Sequence, residues 1–333
     1  MLYDAVLRKG HWILTDQELR LRIHSNLEEM LDSCYRLGVH SQASNYVFAM
    51  QGLYKGTLGS FPIWLYRYRP GSDLEFKTLE RGLVYLATPD SFNDPFDVFP
   101  VFDLGLIEDR IRKETSVEYL TVELDRLGLD SRGKAMALIS MCQNRDIFIK
   151  EVLASIEKRI GMWHSNTRCA CLTTDGDSGY MWENYADSHR GFIAAYHLSP
   201  ADIDGCYCRA RDESRCDARL VGSLLPVRYC GRADFTDYSY ELAHALSAGI
   251  LEQGIEYCLK IAAACSKDEK WQFEKEWRIF AEDCSDINIS RYLKLKPSFL
   301  VAGKNMEAGA FKRLESIANA LQIPFRNEAN NLV

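Results

Sequence analysis

The first regular pattern in the chain is helical. Leu19, Ile23, Leu27, Leu31 and Cys34 recur at three- and four-residue intervals among mostly polar neighbours, which predicts an amphipathic helix over 16–38. Thr15 followed by Glu18 has the spacing of a capping box. Gly52, Gly56, Gly59, Ser60 and Pro62 then mark a boundary. Beyond it the period shortens. Residues 63–68 alternate as a strand, 74–80 allow one short helix, and Gly82 precedes a compact apolar run at 83–87 that Thr88 and Pro89 end. A long helical region follows over about 104–162, in two pieces broken near Gly128 and Gly133. Its apolar positions Ile147, Ile149, Val152, Leu153 and Ile156 repeat at the helix period. Strands are predicted at 168–173, 191–197 and 226–230, a helix over 236–265, strands at 276–281 and 299–301, a last helix over 307–321 and an edge strand at 323–325.

Strands grouped with long intervening helices, without regular βαβ alternation, predict an α+β fold. The expected organisation is an N-terminal helical extension over 1–60, an α+β domain over 61–326 with a helical insertion at about 104–162, and a tail at 327–333. No internal repeat is present.

Composition narrows the function classes. With 47 acidic against 40 basic residues the formal net charge is -7, so contact with nucleic acid or anionic lipid has to come from a local patch. One such strip is 291–313, with six Lys or Arg against one Glu, although a solvated helix and loop surface accounts for the same count. The longest apolar runs, such as 261–265, fall far short of the roughly 18 residues that a spanning helix needs. Asp4, Arg8, Lys9, Asp16 and Glu18 interrupt the first 25 residues, so neither a membrane segment nor an export leader is expected. Eleven cysteines without such a leader predict reduced thiols and a cytoplasmic location.

Four strings carry candidate chemistry. In 64–69, Tyr66 and Tyr68 share one face of the strand and Arg67 and Arg69 the other. An arginine there either holds a pyrophosphate or is an edge-strand surface charge. In 88–97 an Asn-Asp-Pro turn contains Asn93, Asp94 and Asp97. It is a rigid loop pinned by Phe92 and Phe96, or a ribose- or metal-positioning element. In 182–191, Trp182 and Tyr185 fall on one side of a helical turn, Gly191 is placed to end it in a left-handed conformation, and His189 reaches the mouth of the next strand. In 271–278, Glu274 and Glu276 project to the same side of an extended segment, with Lys275 and Trp277 opposite. Paired carboxylates repel, which raises one pKa and supplies a base or a stabiliser of positive charge. The competing account is a solvated charge pattern, since 267–278 carries both signs equally. Cys206, Cys208, Cys216 and Cys230 match zinc-knuckle spacing poorly. Walker, G-x-G-x-x-G and H-E-x-x-H motifs are absent from the sequence.

Taken in order, LYRYR at 65–69, LERGLVYLATPDSFNDPFD at 79–97, MWENYADSHRGF at 181–192, FEKEWRIF at 273–280 and FLVAGKNM at 299–306 resemble a large bacterial domain family often encountered near mobile or defence genes. Membership by itself implies no reaction. More distantly, their order is similar to that of toxin-type ADP-ribosyltransferases. That resemblance implies small mixed sheets around a central cleft, NAD as co-substrate and no metal. It assigns Glu276 to stabilising an oxocarbenium-like centre, Glu274 to activating the acceptor and Arg67 to anchoring the pyrophosphate. Trp182 or Tyr185 would stack on nicotinamide, and Tyr185 or Tyr196 would fill the middle NAD-binding position. Tyr66, Tyr68, Asn93 and His189 complete the expected cofactor-binding set. The implied acceptor is nucleic acid, and the implied partner is an antitoxin or regulatory protein docking on the N-terminal helices. The alternatives are a non-enzymatic nucleotide- or partner-binding module, and a metal-independent nuclease pairing His189 with Glu276.

Overall fold

The computed structural model describes residues 63–198, 224–229, 260, 263–282 and 292–330. The expected helices at 16–38 and over most of 236–265, and the cysteines Cys206, Cys208, Cys216 and Cys230, lie outside these residues.

The described part is α+β with a mixed sheet, as expected. It opens with β1 (Ile63–Arg69), α1 (Asp73–Glu80) and β2 (Leu83–Tyr85). Three helices follow, α2 (Leu104–Glu114), α3 (Val117–Arg126) and α4 (Ser131–Asn166). Next come β3 (Thr167–Thr173), α5 (Gly179–Tyr185) and β4 (Phe192–Leu198). Two short pieces, β5 (Leu224–Pro226) and β6 (Arg228–Tyr229), precede β7 (Ser266–Lys267), a 3-10 turn at Glu269–Glu274 and β8 (Glu276–Glu282). The chain closes with β9 (Tyr292–Lys294), β10 (Phe299–Ala302), α6 (Ala308–Leu321) and β11 (Phe325–Asn327).

Helix starts follow their capping residues. The side chains of Ser72, Asp103, Ser116, Asp130 and Ser178 each accept a hydrogen bond from a first-turn amide of the helix they precede. This explains why the 104–162 region differs from expectation. It has three pieces, because Ser116 starts a new helix, and Gly133 is no break, since its N–H bonds the Asp130 cap at 2.7 Å inside the first turn of α4.

Seven strands form the main sheet in the order β11-β10-β4-β1-β3-β8-β5, and two two-stranded sheets, β2-β9 and β6-β7, stand beside it. Pairing in the main sheet is antiparallel except between β10 and β11, the edge strand, which lies two residues beyond its predicted position. β1 and β3 align only at Tyr66 and Thr173, and further along Cys169 exchanges both backbone hydrogen bonds with Ala87 instead. The segment after β2 thus wedges into the place β1 leaves.

Register lines up one row of residues across five strands: Phe299, Ala195, Tyr66, Thr173 and Glu276. Paired residues share a face, so Tyr66 and Glu276 look to the same side. There a small cluster of Tyr68, Trp182, Ala186, Ile193 and Val301 seats α5. The larger core gathers Leu65 and Tyr196 with Phe76 and Leu79 of α1, Ile149 and Ile156 of α4, Leu314 of α6 and Trp277 of β8.

The turn after α5 is held by three consecutive left-handed residues, Asp187, Ser188 and His189, rather than by Gly191. Gly191 answers to a different demand: a β-carbon there would run into the Arg69 carbonyl.

Candidate functional site

Three segments converge at the start of β8, and local chemistry shapes each. In the loop after β2, Asp94 Oδ1 accepts the Phe96 amide at 3.0 Å, the Asx turn that the Asn-Asp-Pro string predicts. Asp94 Oδ2 accepts the Trp271 indole N–H at 3.2 Å, which ties this loop to the 269–274 turn. Phe96 does not pin the loop, because it is exposed. The second segment is α5, whose last residue is Tyr185. The third is the 3-10 turn followed by Lys275, a left-handed residue with φ 45. That turn corrects the expectation of an extended 271–278. Glu274 is not on the strand, and the left-handed step at Lys275 brings the two carboxylates together where alternation along a strand was expected to.

The side chains form a ladder of alternating charge. Tyr185 Oη donates to Glu274 Oε1 at 2.5 Å, and Asn93 Nδ2 donates to Tyr185 Oη at 3.4 Å. Lys267 Nζ bridges Glu274 Oε2 at 2.6 Å and Glu276 Oε2 at 2.9 Å. Arg278 donates from Nε to Glu276 Oε1 at 2.7 Å and grips both oxygens of Asp97 at 2.8 and 2.7 Å. It also donates to the Ala264 carbonyl at 2.5 Å. The amide of Glu276 donates to the Tyr229 hydroxyl at 2.6 Å. Glu274 is 3% exposed, Glu276 4% and Arg278 0%.

Such burial is tolerable because the charges nearly cancel: Lys267 and Arg278 oppose Asp97, Glu274 and Glu276. The excess negative charge falls on Glu274. Burial raises its pKa and the nearby Glu276 adds to the rise, against the pull of Lys267. For Glu276 burial also disfavours the anion, but Arg278 and Lys267 together outweigh it and hold the carboxyl well below the usual carboxylate range. Burial and the Glu274 charge push the Tyr185 hydroxyl up, so it remains a donor. Glu274 is therefore the group in the ladder suited to exchanging a proton, and Glu276 is a fixed anion.

The expected site residues divide. Glu274, Glu276, Tyr185 and Asn93 are brought together, and Tyr66 shares their face of the sheet through its row with Thr173 and Glu276. Tyr68 and Trp182 lie on that face too, but as packing. Tyr68 is buried edge-on to Trp182, and its hydroxyl donates to the Asp175 carbonyl at 3.0 Å and accepts the Ser178 amide at 3.1 Å. Trp182 is fully covered, which leaves no ring face for nicotinamide. His189 stacks on Trp182, with Nδ1 2.7 Å from Glu328 and Nε2 3.3 Å from Glu183. It follows Tyr185 by four residues in the turn beyond α5, and its ring partners are Glu328 and Glu183, not Glu276.

Arg67 does not join the carboxylates as a pyrophosphate anchor was expected to. The next residue along β1 from Tyr66, it points to the opposite face from Glu276. There it is 9% exposed and donates to the Tyr85 carbonyl at 3.0 Å, bracing the wedge between β1 and β3. Burial, with Arg69 adding, lowers its pKa to about 10. Tyr196 is buried on that same face, away from the carboxylates.

Sequence reasoning did not single out Lys267, Arg278 or Tyr229. The spacing Glu274-x-Glu276-x-Arg278 was a usable signal for the arginine, since alternate strand residues are neighbours. Nothing local pointed to Lys267, seven residues before Glu274. In the proposed basic strip, Arg313 is already paired with Asp73 and Glu80. Among the described residues no group of three or more His, Cys, Asp or Glu is arranged to hold a metal ion. No described helix is long and apolar enough to cross a membrane.

Compared with known proteins, the chain matches no family model, no curated protein and no solved structure.

Proposed function

We propose that the chain is an NAD-consuming ADP-ribosyltransferase of toxin or phage-defence type, working from the Glu274–Tyr185 end of the ladder. The observation that carries this reading is the pair of buried carboxylates, Glu274 and Glu276, bridged by Lys267, with the Tyr185 hydroxyl donating to Glu274. In this reaction the bond from the ribose anomeric carbon to nicotinamide breaks and its electron pair leaves with nicotinamide. An acceptor hydroxyl or amine then bonds to that carbon and gives up its proton. Glu274, with its raised pKa, takes that proton. Glu276 keeps negative charge next to the developing cation, although Arg278 and Lys267 already draw on much of it. Tyr66 and Asn93 replace Arg67 as the groups on the correct face to meet the co-substrate. The main sheet is one continuous seven-stranded sheet rather than the small sheets around a cleft that the resemblance implies, so the reading rests on the carboxylate pair and not on the fold; nucleic acid remains the proposed acceptor.

Labelled NAD tests the reading. The wild-type chain should release nicotinamide and leave label on a macromolecule, Glu274→Gln should lower transfer on the order of a hundredfold, and Arg67→Met should retain activity. No nicotinamide release from folded wild-type protein ends the assignment.

One observation favours a second reading, a non-enzymatic binding module: both carboxylates are buried and already partnered. In that case Glu274→Gln and Glu276→Gln bind partners as wild type does and the chain never consumes NAD.

A further inference from the structure

We propose that Lys267 is a positioning residue: its ammonium holds Glu274 against Tyr185 and keeps that carboxylate in the ionised, proton-accepting form. The inference rests on the reading of Glu274 as the proton acceptor, and it adds a residue that the sequence did not mark.

The geometry singles out Lys267. Arg278 is occupied on its other side by Asp97 and the Ala264 carbonyl, and its contact within the pair is with Glu276 alone. Among the described residues Lys267 is the one cation within ion-pair distance of Glu274. It is itself confined, buried beneath the Trp271 ring at 5.2 Å, with Asp97 at 3.8 Å on its far side.

Glu274 faces charged and titratable groups from every packed element: Lys267 on β7, Glu276 on β8, and Tyr185 on α5. Behind these stand Arg278 and Asp97, while Tyr229 and Cys171 touch Glu276. Taking Lys267 away leaves two carboxylates side by side with no cation shared between them. Like charges at that range cannot both remain ionised, and the less compensated one, Glu274, takes up the proton. Protonated, it can no longer accept one from an acceptor group. The ammonium stays charged across the working pH range because Glu276 and Glu274 outweigh the burial that opposes its charge. Lys267 therefore acts as a fixed charge and does not shuttle protons.

The test uses the full chain and two readouts. Isotope-edited infrared titration, taken in each background as the difference from the same protein carrying Glu274→Gln, reads the protonation of Glu274 directly. Nicotinamide release against pH reads its consequence. In Lys267→Met the Glu274 midpoint and the acid limb of the rate should both move up by about 1–3 pH units, and Lys267→Arg should return most of the shift. An unmoved midpoint in folded Lys267→Met overturns the proposal. If Lys267→Met fails to fold, the reciprocal measurement decides. The Lys267 ammonium nitrogen resonance should change between wild type and Glu274→Gln, because coupling between two sites acts equally in both directions. An unchanged resonance overturns the proposal. Absence of nicotinamide release in every variant removes the enzyme reading, yet the infrared shift still decides the role of Lys267.

Discussion

Arg278 and Arg67 lie on strands separated only by β3, and both are buried, but they are compensated in opposite ways. Arg278 closes a ladder in which every charge meets an opposite one: Asp97 takes both ends of its guanidinium and Glu276 takes the Nε. Arg67 has a backbone carbonyl as its hydrogen-bond partner and another arginine as its neighbour, so burial drags its pKa down instead of being overcome. Residue type and burial therefore do not by themselves define a site. The compensated arginine belongs to the carboxylate pair, and the uncompensated one braces a wedge in the sheet.

The two arginines should differ most in what their loss does to stability. Arg278→Met leaves Asp97 and Glu276 buried with Lys267 alone, and should cost about 3–5 kcal/mol in urea unfolding. Arg67→Met removes a poorly compensated charge and one hydrogen bond to a carbonyl, so it should cost no more than about 1 kcal/mol. Equal losses would mean that the two arginines are not held differently.

The same contrast should divide the two glutamates, with smaller numbers. Glu276→Gln strips the anion from two cations and should cost about 1.5–3 kcal/mol. Glu274→Gln removes the excess charge of the ladder and should stay within about 1 kcal/mol of wild type. The reverse order would show that Glu274, not Glu276, is the anchoring anion.

The smallest expected effect is on the pH dependence of melting. Burial raises Glu274 above its ordinary value of 4.5, so the folded chain binds that proton more tightly than the unfolded chain. Stability from this group rises as pH falls from neutrality towards 4.5. Glu276 works the other way: burial opposes its charge, but Arg278 and Lys267 depress its pKa below 4.5. Its contribution is present above that value and is lost as pH falls further. Wild-type melting temperature should therefore pass through a maximum on the acid side of neutrality. Glu274→Gln should flatten the rise and leave the fall; a rise that survives in that variant would locate the titrating group elsewhere.

Much of the described fold was legible because it is local. The alternation in 63–68, the short helix after Ser72 and the helix ending at Leu321 follow from periods and caps that act within a few residues. The additional break in the insertion, at Ser116, was also local, but a serine reads as a cap only when the helix on each side is known. The candidate site was legible in part. Glu274, Glu276, Tyr185 and Asn93 were marked by their strings and do meet, whereas Trp182 and His189 are consumed by stacking on each other.

Amino-acid order alone sets which residues share a face of one strand: Tyr66 with Tyr68, Arg67 with Arg69, Glu276 with Arg278. Backbone alternation is a property of the single chain, so no neighbour is needed to establish it. Which of those faces meet depends on packing between strands far apart in the sequence. Register laid Tyr66, and not Arg67, in line with Glu276, and a left-handed step at Lys275 put Glu274 beside it. It also carried Lys267 from the neighbouring short strand into the gap between the two carboxylates. The two faces of an isolated strand are equivalent. They become different only when pairing and burial charge one face the cost of desolvation, and that cost depends on groups distant in sequence.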